Sequence, residues 1–180
     1  NIEKLSLSLK KKEKKIVHCH GVFDLLHFGH LKHFESSKKY GDILIVSLTP
    51  NKFVFKGLNR PYFNEQQRLE ALASIEVVDF VVLNNSADAI NIIKKIKPNY
   101  YCKGPDYNNL KSKKFSTINN NRNFIEEKKI CKKIGCKIKL TSDVKFSSSK
   151  IINEHLFEFN NSEKDFLLDI KKKYTFKDIE

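Results

Sequence analysis

The 180-residue chain contains no methionine and no tryptophan, and only three of its 34 basic residues are arginine: Arg60, Arg68 and Arg122. The formal net charge of +13 would suit a nucleic-acid-binding protein. Arginine, however, is the side chain favoured for bidentate recognition of phosphates and bases. A basic surface made almost entirely of lysine therefore argues against a nucleic-acid partner, and we expect none.

Long apolar runs and paired cysteines are also missing. No run approaches the roughly 18–20 apolar residues that cross a bilayer, and the basic start does not lead into a signal peptide. We therefore expect no membrane partner. The four cysteines form no Cys-x-x-Cys pair, which argues against a zinc knuckle and predicts a reducing, cytoplasmic setting. Because methionine is absent even at position 1, we expect the sequence to be a domain excised from a longer protein.

Strand-like and helix-like segments alternate along the chain. Nearly continuous apolar runs such as DILIVSL at 42–48 are typical of strands buried on both faces of a parallel sheet. Asn64 and Ser86 suit helix N-caps, and Pro98 ends one helix. The alternation indicates right-handed βαβ units. We predict an α/β fold, a Rossmann-like doubly wound sheet of about five parallel strands, with strands at 15–20, 42–48, 78–83, 99–104 and 136–142 and helices at 28–40, 64–74, 86–97, 123–134 and 147–156.

The chain divides into three segments by composition. We predict a basic N-terminal segment at 1–14, one domain at 15–156 and a C-terminal helical tail or linker at 157–180. Within the domain, the polar residues 105–122 predict a loop. In the tail, Phe166, Ile170 and Tyr174 share one helical face. This face predicts packing on the domain or on a dimer mate, and a connector to a second domain is the alternative.

Five of the six histidines lie between His18 and His33, beside Cys19. A metal site is the first interpretation of such a cluster. On a strand, however, His18 and His20 point to one side and Cys19 to the other, so these neighbours do not converge on one ion. No carboxylate or second cysteine completes a tetrahedral set. We therefore expect no metal bound directly by protein side chains.

The sequence His27-Phe28-Gly29-His30 spans the predicted start of the helix after the first strand. His27 and His30 are one turn apart and can face one ligand. The helix N-terminus offers free N–H groups and a positive dipole end, and Gly29 leaves room for a phosphate. Ligands of parallel sheets bind beyond the carboxyl ends of the strands, where this motif lies. The pattern predicts a phosphate site.

These motifs resemble the nucleotidyltransferase superfamily marked by the HxGH motif, also called cytidylyltransferase-like. The resemblance runs from about 16 to 156 and is closest to the adenylyltransferase domain of bacterial heptose-1-phosphate adenylyltransferases, then to glycerol-3-phosphate cytidylyltransferases. The matching pieces are GVFD (21–24), HFGH (27–30), KGLNRP (56–61), EQQR (65–68), KGPDY (103–107) and FSSSKII (146–152).

The resemblance implies transfer of AMP or CMP from a nucleoside triphosphate to a phosphorylated sugar or polyol, with release of pyrophosphate, for surface glycan precursors. KGLNRP and the DY ending favour ATP, and the missing RTEG before Ser147 weakens the CTP and glycerol phosphate alternative. Mg²⁺ would arrive with the triphosphate. Relatives suggest a homodimer and a fused or separate sugar kinase. A nucleotide-binding regulatory domain and an RNA-binding protein are the rival classes.

The resemblance also implies roles for individual residues. His27 and His30 would bind the α- and β-phosphates, Arg68 would lean over the phosphates, and Lys56, with Lys52 as its competitor, would screen charge. We expect the catalytic residues to be His27, His30, Lys56 and Arg68; the nucleotide-binding residues to be Gly21, Val22, Phe23, Gly29, Lys103, Gly104, Asp106, Tyr107, Ser147, Ser148 and Ser149; and the substrate-binding residues to be His20, Asp24, Lys52 and Arg60. No role is predicted for His33.

Overall fold

The structure is a computed structural model that describes residues 1–54, 60–104 and 115–142, with side chains in the last range from 123 onward, and four residues beyond 160. The chain divides into two compact units, Asn1–Ser148 and Ser149–Glu180. In the second unit the described residues, Ser162, Asp165, Phe166 and Asp169, are helical. The predicted boundaries at 14 and 156 stay predictions.

Five parallel strands form one sheet. They are β1 (Ile16–Gly21), β2 (Ile43–Leu48), β3 (Phe80–Leu83), β4 (Tyr100–Lys103) and β5 (Lys137–Leu140), arranged in the order β3-β2-β1-β4-β5. In the register, Cys19 of β1 lies opposite Val46 of β2 and Cys102 of β4. The strand order reverses between β1 and β4, which is where such sheets bind ligands. The predicted Rossmann-like α/β fold is confirmed.

Helices cover both faces of the sheet. They are α1 (Ile2–Lys11), α2 (Phe28–Lys38), α3 (Glu65–Ala73), α4 (Ile90–Ile96) and α5 (Phe115–Lys133), and a 3₁₀ turn spans Asn51–Phe53. Odd residues of β1 such as Cys19 pack with α2 and α3, whereas Ile16 packs with α4 and α5, since successive strand side chains alternate between faces. Among the described residues, no helix is long and apolar enough to span a membrane.

The helix predicted at 86–97 begins four residues later than expected. The Asn84 side chain donates to the carbonyls of Ser86 and Asp88, at 2.9 and 2.6 Å. The Asp88 carboxylate then accepts from the N–H of Ile90 at 2.9 Å. These local bonds hold 84–88 in a turn, so the prediction that Ser86 is the N-cap was wrong. By contrast, Asn64 caps α3 as predicted, in a reciprocal capping box with Gln67.

Three other predictions about elements need correction. The strand at 78–83 is not fully buried, because β3 lies at the edge of the sheet with Leu83 exposed. The helix predicted at 123–134 begins at Phe115, so the predicted loop is helical at 115–122. Its remaining part, 105–114, lies outside the described residues, as does the helix predicted at 147–156. The segment 1–14, predicted only as basic, contains helix α1, which was not predicted from the sequence because most of its residues are charged or polar.

Helix α1 is tied to the end of α4. The Ser6 hydroxyl donates to the Ile96 carbonyl, and the Lys10 amine donates to the Lys97 carbonyl. Ser6 is the buried residue of α1. The N-terminal helix is therefore held to the first unit by directed bonds as well as by apolar contact.

All four cysteines are free thiols and all are buried. Cys19 and Cys102 belong to the core between the sheet and α2 and α3, whereas Cys131 and Cys136 belong to the core under α4 and α5. Burial raises the pKa of the Cys19 thiol well above its usual value. The cysteines are therefore part of the two apolar layers, as small hydrophobic side chains.

Candidate active site

The carboxyl ends of β1, β2 and β4 bring most of the described candidate residues to one edge of the sheet. His20 and Gly21 end β1 and residues 22–24 follow it, residues 49–51 follow β2, and Gly104 follows β4. Helix α2 begins at the same edge. Helix α3 returns there through residues 60–64. Parallel pairing therefore gathers segments that are up to 84 positions apart, as between His20 and Gly104.

His27 and His30 stand side by side at the start of α2. Their rings stack with centroids 3.9 Å apart and an angle of 15° between planes. His27 is the N-cap residue of the helix, and the His30 N–H donates to the His27 carbonyl at 2.9 Å. Burial lowers the pKa of His27, which favours the neutral imidazole. The structure thus brings these two predicted residues together, and Gly29 is buried between them.

Phe23 fills the space beneath this pair. Its backbone is left-handed, with φ of 48°, and its ring meets His30 edge-on at 5.3 Å and Phe34 at 5.3 Å. A Cβ on Gly21 would lie 2.8 Å from that ring. The missing side chain of Gly21 therefore makes room for Phe23, and its predicted nucleotide-binding role stays a prediction.

Arg68 is buried and turned toward the protein. Its Nε donates to the Phe63 carbonyl at 3.0 Å, and its terminal nitrogens donate to the carbonyls of Val22 and Thr49 and to Asn51 Oδ1. These bonds occupy all five N–H donors of the guanidinium. Burial lowers the pKa of Arg68, while the charges of Asp24 and Glu65 raise it. The arrangement favours a role in holding the loops after β1 and β2 over direct phosphate contact.

Asp24 and Arg60 form a buried ion pair beside Arg68. Arg60 Nε lies 2.5 Å from Asp24 Oδ2, and the side chains are 3% and 1% exposed. Asp24 Oδ1 accepts from the Phe63 N–H at 3.1 Å. The carboxylate therefore joins the loop after β1 to the segment that leads into α3.

His18 and His20 lie on the face of the sheet that α4 and α5 cover, and both bond to Ser47. Ser47 Oγ is 2.8 Å from His18 Nε2 and 2.7 Å from His20 Nδ1, and Thr49 Oγ1 is 3.3 Å from His20 Nε2. Burial, with the charge of Lys103, lowers the pKa of His18 to about 3 and that of His20 well below its usual value. Both imidazoles are therefore neutral near pH 7, and His20 reaches the site edge as a hydrogen-bonding group without charge.

Lys103 was predicted to bind nucleotide, but its amine points into the protein. It lies 3.0 Å from Glu127 Oε2 of α5, with both side chains almost fully buried, and 5.1 Å above the Tyr101 ring. Because the buried charge is already paired, the structure favours a supporting role for Lys103. Among the residues that the structure describes, none has an atom within 4 Å of a Cβ built on Gly104, the next residue.

The remaining predicted residues are placed as follows. Lys52 is exposed in the 3₁₀ turn, with its amine 5.0 Å above the Phe53 ring. His33, which had no predicted role, bonds through Nδ1 to Thr141 Oγ1 at 2.8 Å and so joins α2 to the end of β5. Outside the described residues lie Lys56, Asp106, Tyr107, Ser147, Ser148 and Ser149.

Sequence reasoning missed several supporting side chains. Ser47 was detectable, because it is the hydroxyl residue inside the apolar run DILIVSL and such a position requires a buried partner. No nearby sequence pattern indicated Glu127 or Thr141. Their partners, Lys103 and His33, lie 24 and 108 positions away in the sequence. Within the ranges that the structure describes, no group of three histidine, cysteine or acidic residues is arranged to hold a metal ion.

Comparisons with known proteins agree with this architecture. A family model described as cytidylyltransferase-like matches residues 18–154. The bifunctional protein HldE of Aliarcobacter butzleri is 44% identical over 108 residues, which is 59% of this chain and 23% of that protein. The HldE of Geobacter metallireducens is 39% identical over 100 residues, 54% of this chain and 20% of its own length. The matched region thus spans less than a quarter of these relatives.

Solved structures show the same fold. The lipopolysaccharide core biosynthesis protein from Thermoplasma volcanium aligns with a TM-score of 0.53 at 27% identity and covers 74% of this chain and 99% of its own. Pantoate-beta-alanine ligase from Francisella tularensis aligns with a TM-score of 0.56 at 18% identity and covers 94% of this chain and 76% of its own. At that identity the second likeness concerns the fold alone.

Proposed function

Because the chain belongs to the cytidylyltransferase-like family, we propose that it transfers a nucleotidyl group, AMP in preference to CMP, to a phosphorylated sugar or polyol and releases pyrophosphate. The observation that carries the proposal is the stacked His27–His30 pair at the N-terminus of α2. The identity to the HldE proteins supports the adenylyl choice. The likeness to a lipopolysaccharide core biosynthesis protein supports a product used for surface glycans.

The chemistry asks mainly for positioning and charge stabilisation. An oxygen of the acceptor phosphate attacks the α-phosphorus, and the bond from the α-phosphorus to the bridging oxygen breaks as pyrophosphate leaves. Negative charge grows on the phosphoryl oxygens. His27 and His30 each supply an imidazole N–H, and the start of α2 adds backbone N–H groups and the positive end of its dipole. A neutral His27 suits a donor that binds phosphate without holding the product too tightly.

The supporting residues keep this pair in place. Phe23 packs against His30, and Arg68 donates to the carbonyls of Val22 and Thr49, which follow β1 and β2. Asp24 and Glu65, the described carboxylates beside Arg60 and Asn51, already accept N–H groups. Because their oxygens are engaged in these bonds, the residues fit an Mg²⁺ ion that arrives bound to the triphosphate. That ion would neutralise phosphate charge when bound.

The two flanks of the sheet suggest a division of the ligands. A Cβ on Gly104 beyond β4 would meet no described atom within 4 Å, and this side would hold the nucleotide. The nucleotide-binding roles of Asp106, Tyr107 and Ser147–Ser149 stay predictions. The segments after β2, which carry Lys52, Lys56 and Arg60, would face the acceptor. As for the working enzyme, we propose a cytoplasmic homodimer that acts with a fused or separate sugar kinase. Light scattering of the purified chain checks the dimer.

A pyrophosphate-release screen tests the proposed function. ATP, CTP, GTP and UTP are each paired with a set of sugar and polyol phosphates, and the doubly substituted His27→Ala/His30→Ala protein serves as the background control. We expect turnover with ATP and a sugar phosphate. Turnover with CTP and glycerol phosphate would replace the adenylyl assignment. Nucleotide binding without pyrophosphate release from any pair would instead indicate a regulatory nucleotide-binding domain.

A further inference from the structure

Arg60 carries two hydrogen-bonding nitrogens without an acceptor. Its Nε is bound to Asp24, but its Nη1 and Nη2 are buried and form no hydrogen bond within the described part of the chain. Buried polar nitrogens are nearly always satisfied, so an exception indicates a missing partner. The unsatisfied pair forms one edge of a planar guanidinium, which matches two oxygens of a phosphate or carboxylate.

Asp24 gives this edge a fixed direction. Because Asp24 Oδ2 takes Nε and Oδ1 takes the Phe63 N–H, the carboxylate is anchored at both oxygens. The guanidinium is thereby held at Nε, and Nη1 and Nη2 are presented together. Asp24 and Glu65 offset the charges of Arg60 and Arg68 in this region. Anion binding here therefore depends on two directed hydrogen bonds, and it favours an oxyanion over a simple halide.

The sheet order places Arg60 on the acceptor flank. Arg60 lies between β2 and α3, and β2 and β3 are on one side of β1, whereas β4 and β5 are on the other. His27 stands between the two flanks, directly after the β1 loop. Attacking and leaving oxygens lie roughly in line during phosphoryl and nucleotidyl transfer. If the nucleotide occupies the β4 flank, the attacking phosphate comes from the flank of Arg60.

We propose that Arg60, held by Asp24, binds two non-bridging oxygens of the acceptor's phosphate monoester and leaves the third oxygen to attack the α-phosphorus. The inference rests on the proposed function and adds the group that selects a phosphate monoester as acceptor. The third oxygen bonds to the α-phosphorus, and pyrophosphate leaves with the electron pair of the broken bond. Both nitrogens are shielded from solvent, so the charge of a phosphate bound to them is weakly screened.

The small number of arginines makes a direct test possible. The chain has three, so the Nε–Hε region of its ¹⁵N NMR spectrum contains three signals, and the spectrum of Arg60→Lys identifies the one from Arg60. Methyl phosphate is titrated into the unsubstituted protein, and sodium chloride at equal ionic strength is the control. We expect a saturable shift of the Arg60 signal with methyl phosphate alone. An Arg60 signal that does not move, or that moves equally with chloride, overturns the proposal.

Kinetics give a second, separate test with the substrates that the pyrophosphate screen identifies. Arg60→Lys and Arg60→Gln should raise KM for the acceptor about tenfold or more and change KM for the nucleotide less than about twofold. Lys94→Gln, which removes an exposed charge on α4, is the matched control. A rise in KM for the nucleotide instead would assign Arg60 to the triphosphate. If the screen finds no turnover, the proposed function fails, while the NMR titration still decides whether Arg60 binds phosphate.

Discussion

Turnover should depend most on His27 and His30, whose imidazole rings are stacked. His27→Ala or His30→Ala should lower kcat by roughly 10²–10³, the effect of losing one donor to the transition state. Pyrophosphate release measures the loss, and circular dichroism checks the fold. His30→Gln keeps an N–H donor and should lose less than His30→Ala. Lys32→Ala, an exposed neighbour on α2, is the control; unchanged rates in both alanine variants would contradict the mechanism.

Arg68 should be irreplaceable by lysine although the charge is kept. Lysine has three N–H donors on one nitrogen and cannot reach the four separated acceptors of this guanidinium. Arg68→Lys should lower kcat/KM and reduce the free energy of unfolding by about 2–4 kcal/mol, because buried carbonyls lose their partners. Urea denaturation and pyrophosphate release are the measurements.

Gln66→Ala, on the exposed side of the same helix, is the matched control for Arg68→Lys. It should change the free energy of unfolding by less than about 0.5 kcal/mol. If Arg68→Lys is as mild as this control, the hydrogen bonds of Arg68 do not organise the site.

The buried imidazole of His18 and the partly buried imidazole of His20 indicate that the fold is sensitive to acid. In the folded protein the pKa of His18 is about 3, and the pKa of His20 is also lowered from the ordinary histidine value of 6.5. Below pH 6.5 the two histidines therefore bind protons more readily in the unfolded chain than in the folded protein. The free energy of unfolding should therefore be constant above about pH 7 and decrease as the pH falls from 6.5 towards 3. The slope is at most about 1.4 kcal/mol per pH unit for each group.

His18→Gln isolates this effect, because the amide can still bond Ser47 but does not titrate. Urea denaturation at pH 7, 6 and 5 should give a smaller decrease for His18→Gln than for the unsubstituted protein. Equal pH slopes for the two proteins would mean that His18 is not the proton-binding group.

At the scale of elements, the buried Ser6 hydroxyl supplies one of the bonds that hold α1 to α4. Ser6→Ala leaves the Ile96 carbonyl without its donor and should lower the free energy of unfolding by about 1–2 kcal/mol. Ser8→Ala is the matched control, since Ser8 is exposed on the same helix and alanine is the better helix former. Thermal denaturation compares the two, and a loss in Ser8→Ala as large as in Ser6→Ala would contradict this account.

The elements also show which local signals in a sequence are reliable. DILIVSL predicted β2, and Asn64 predicted the start of α3, because apolar runs and capping residues act over a few positions. The start of α4 was missed because Asn84 and Asp88 bond within their own turn. Helix α1 was missed because its lysines masked Ile2, Leu5 and Leu9, which recur at helical spacing. Local competition and surface charge thus limited the prediction of boundaries.

At the scale of the whole molecule, the site follows from parallel pairing more than from any one motif. The HxGH spacing predicted that His27 and His30 would be neighbours, and they are stacked. The inward direction of Arg68 and Lys103 was not predictable, because it depends on acceptors that other elements supply. Glu127 is distant in the sequence and pairs with Lys103 because the fold packs α5 beside β4. A local sequence pattern does not specify this arrangement.

The whole reaction should require a divalent cation. A metal chelator should abolish pyrophosphate release, and Mg²⁺ added in excess should restore it, because the charge of the triphosphate is neutralised by an ion that comes with the nucleotide. Thermal denaturation without nucleotide should be the same with and without chelator. Full turnover in the presence of chelator would contradict this prediction.

Two of the four thiols lie on each face of the sheet, so thiol chemistry can distinguish the two helical layers that cover it. A native chain should react slowly with thiol-modifying reagents, because every cysteine is buried. Cys19 and Cys102 become accessible only when α2 and α3 separate from the sheet, and Cys131 and Cys136 only when α4 and α5 do. Pulsed alkylation followed by peptide mass spectrometry would therefore report the order in which the two layers open, without any introduced label.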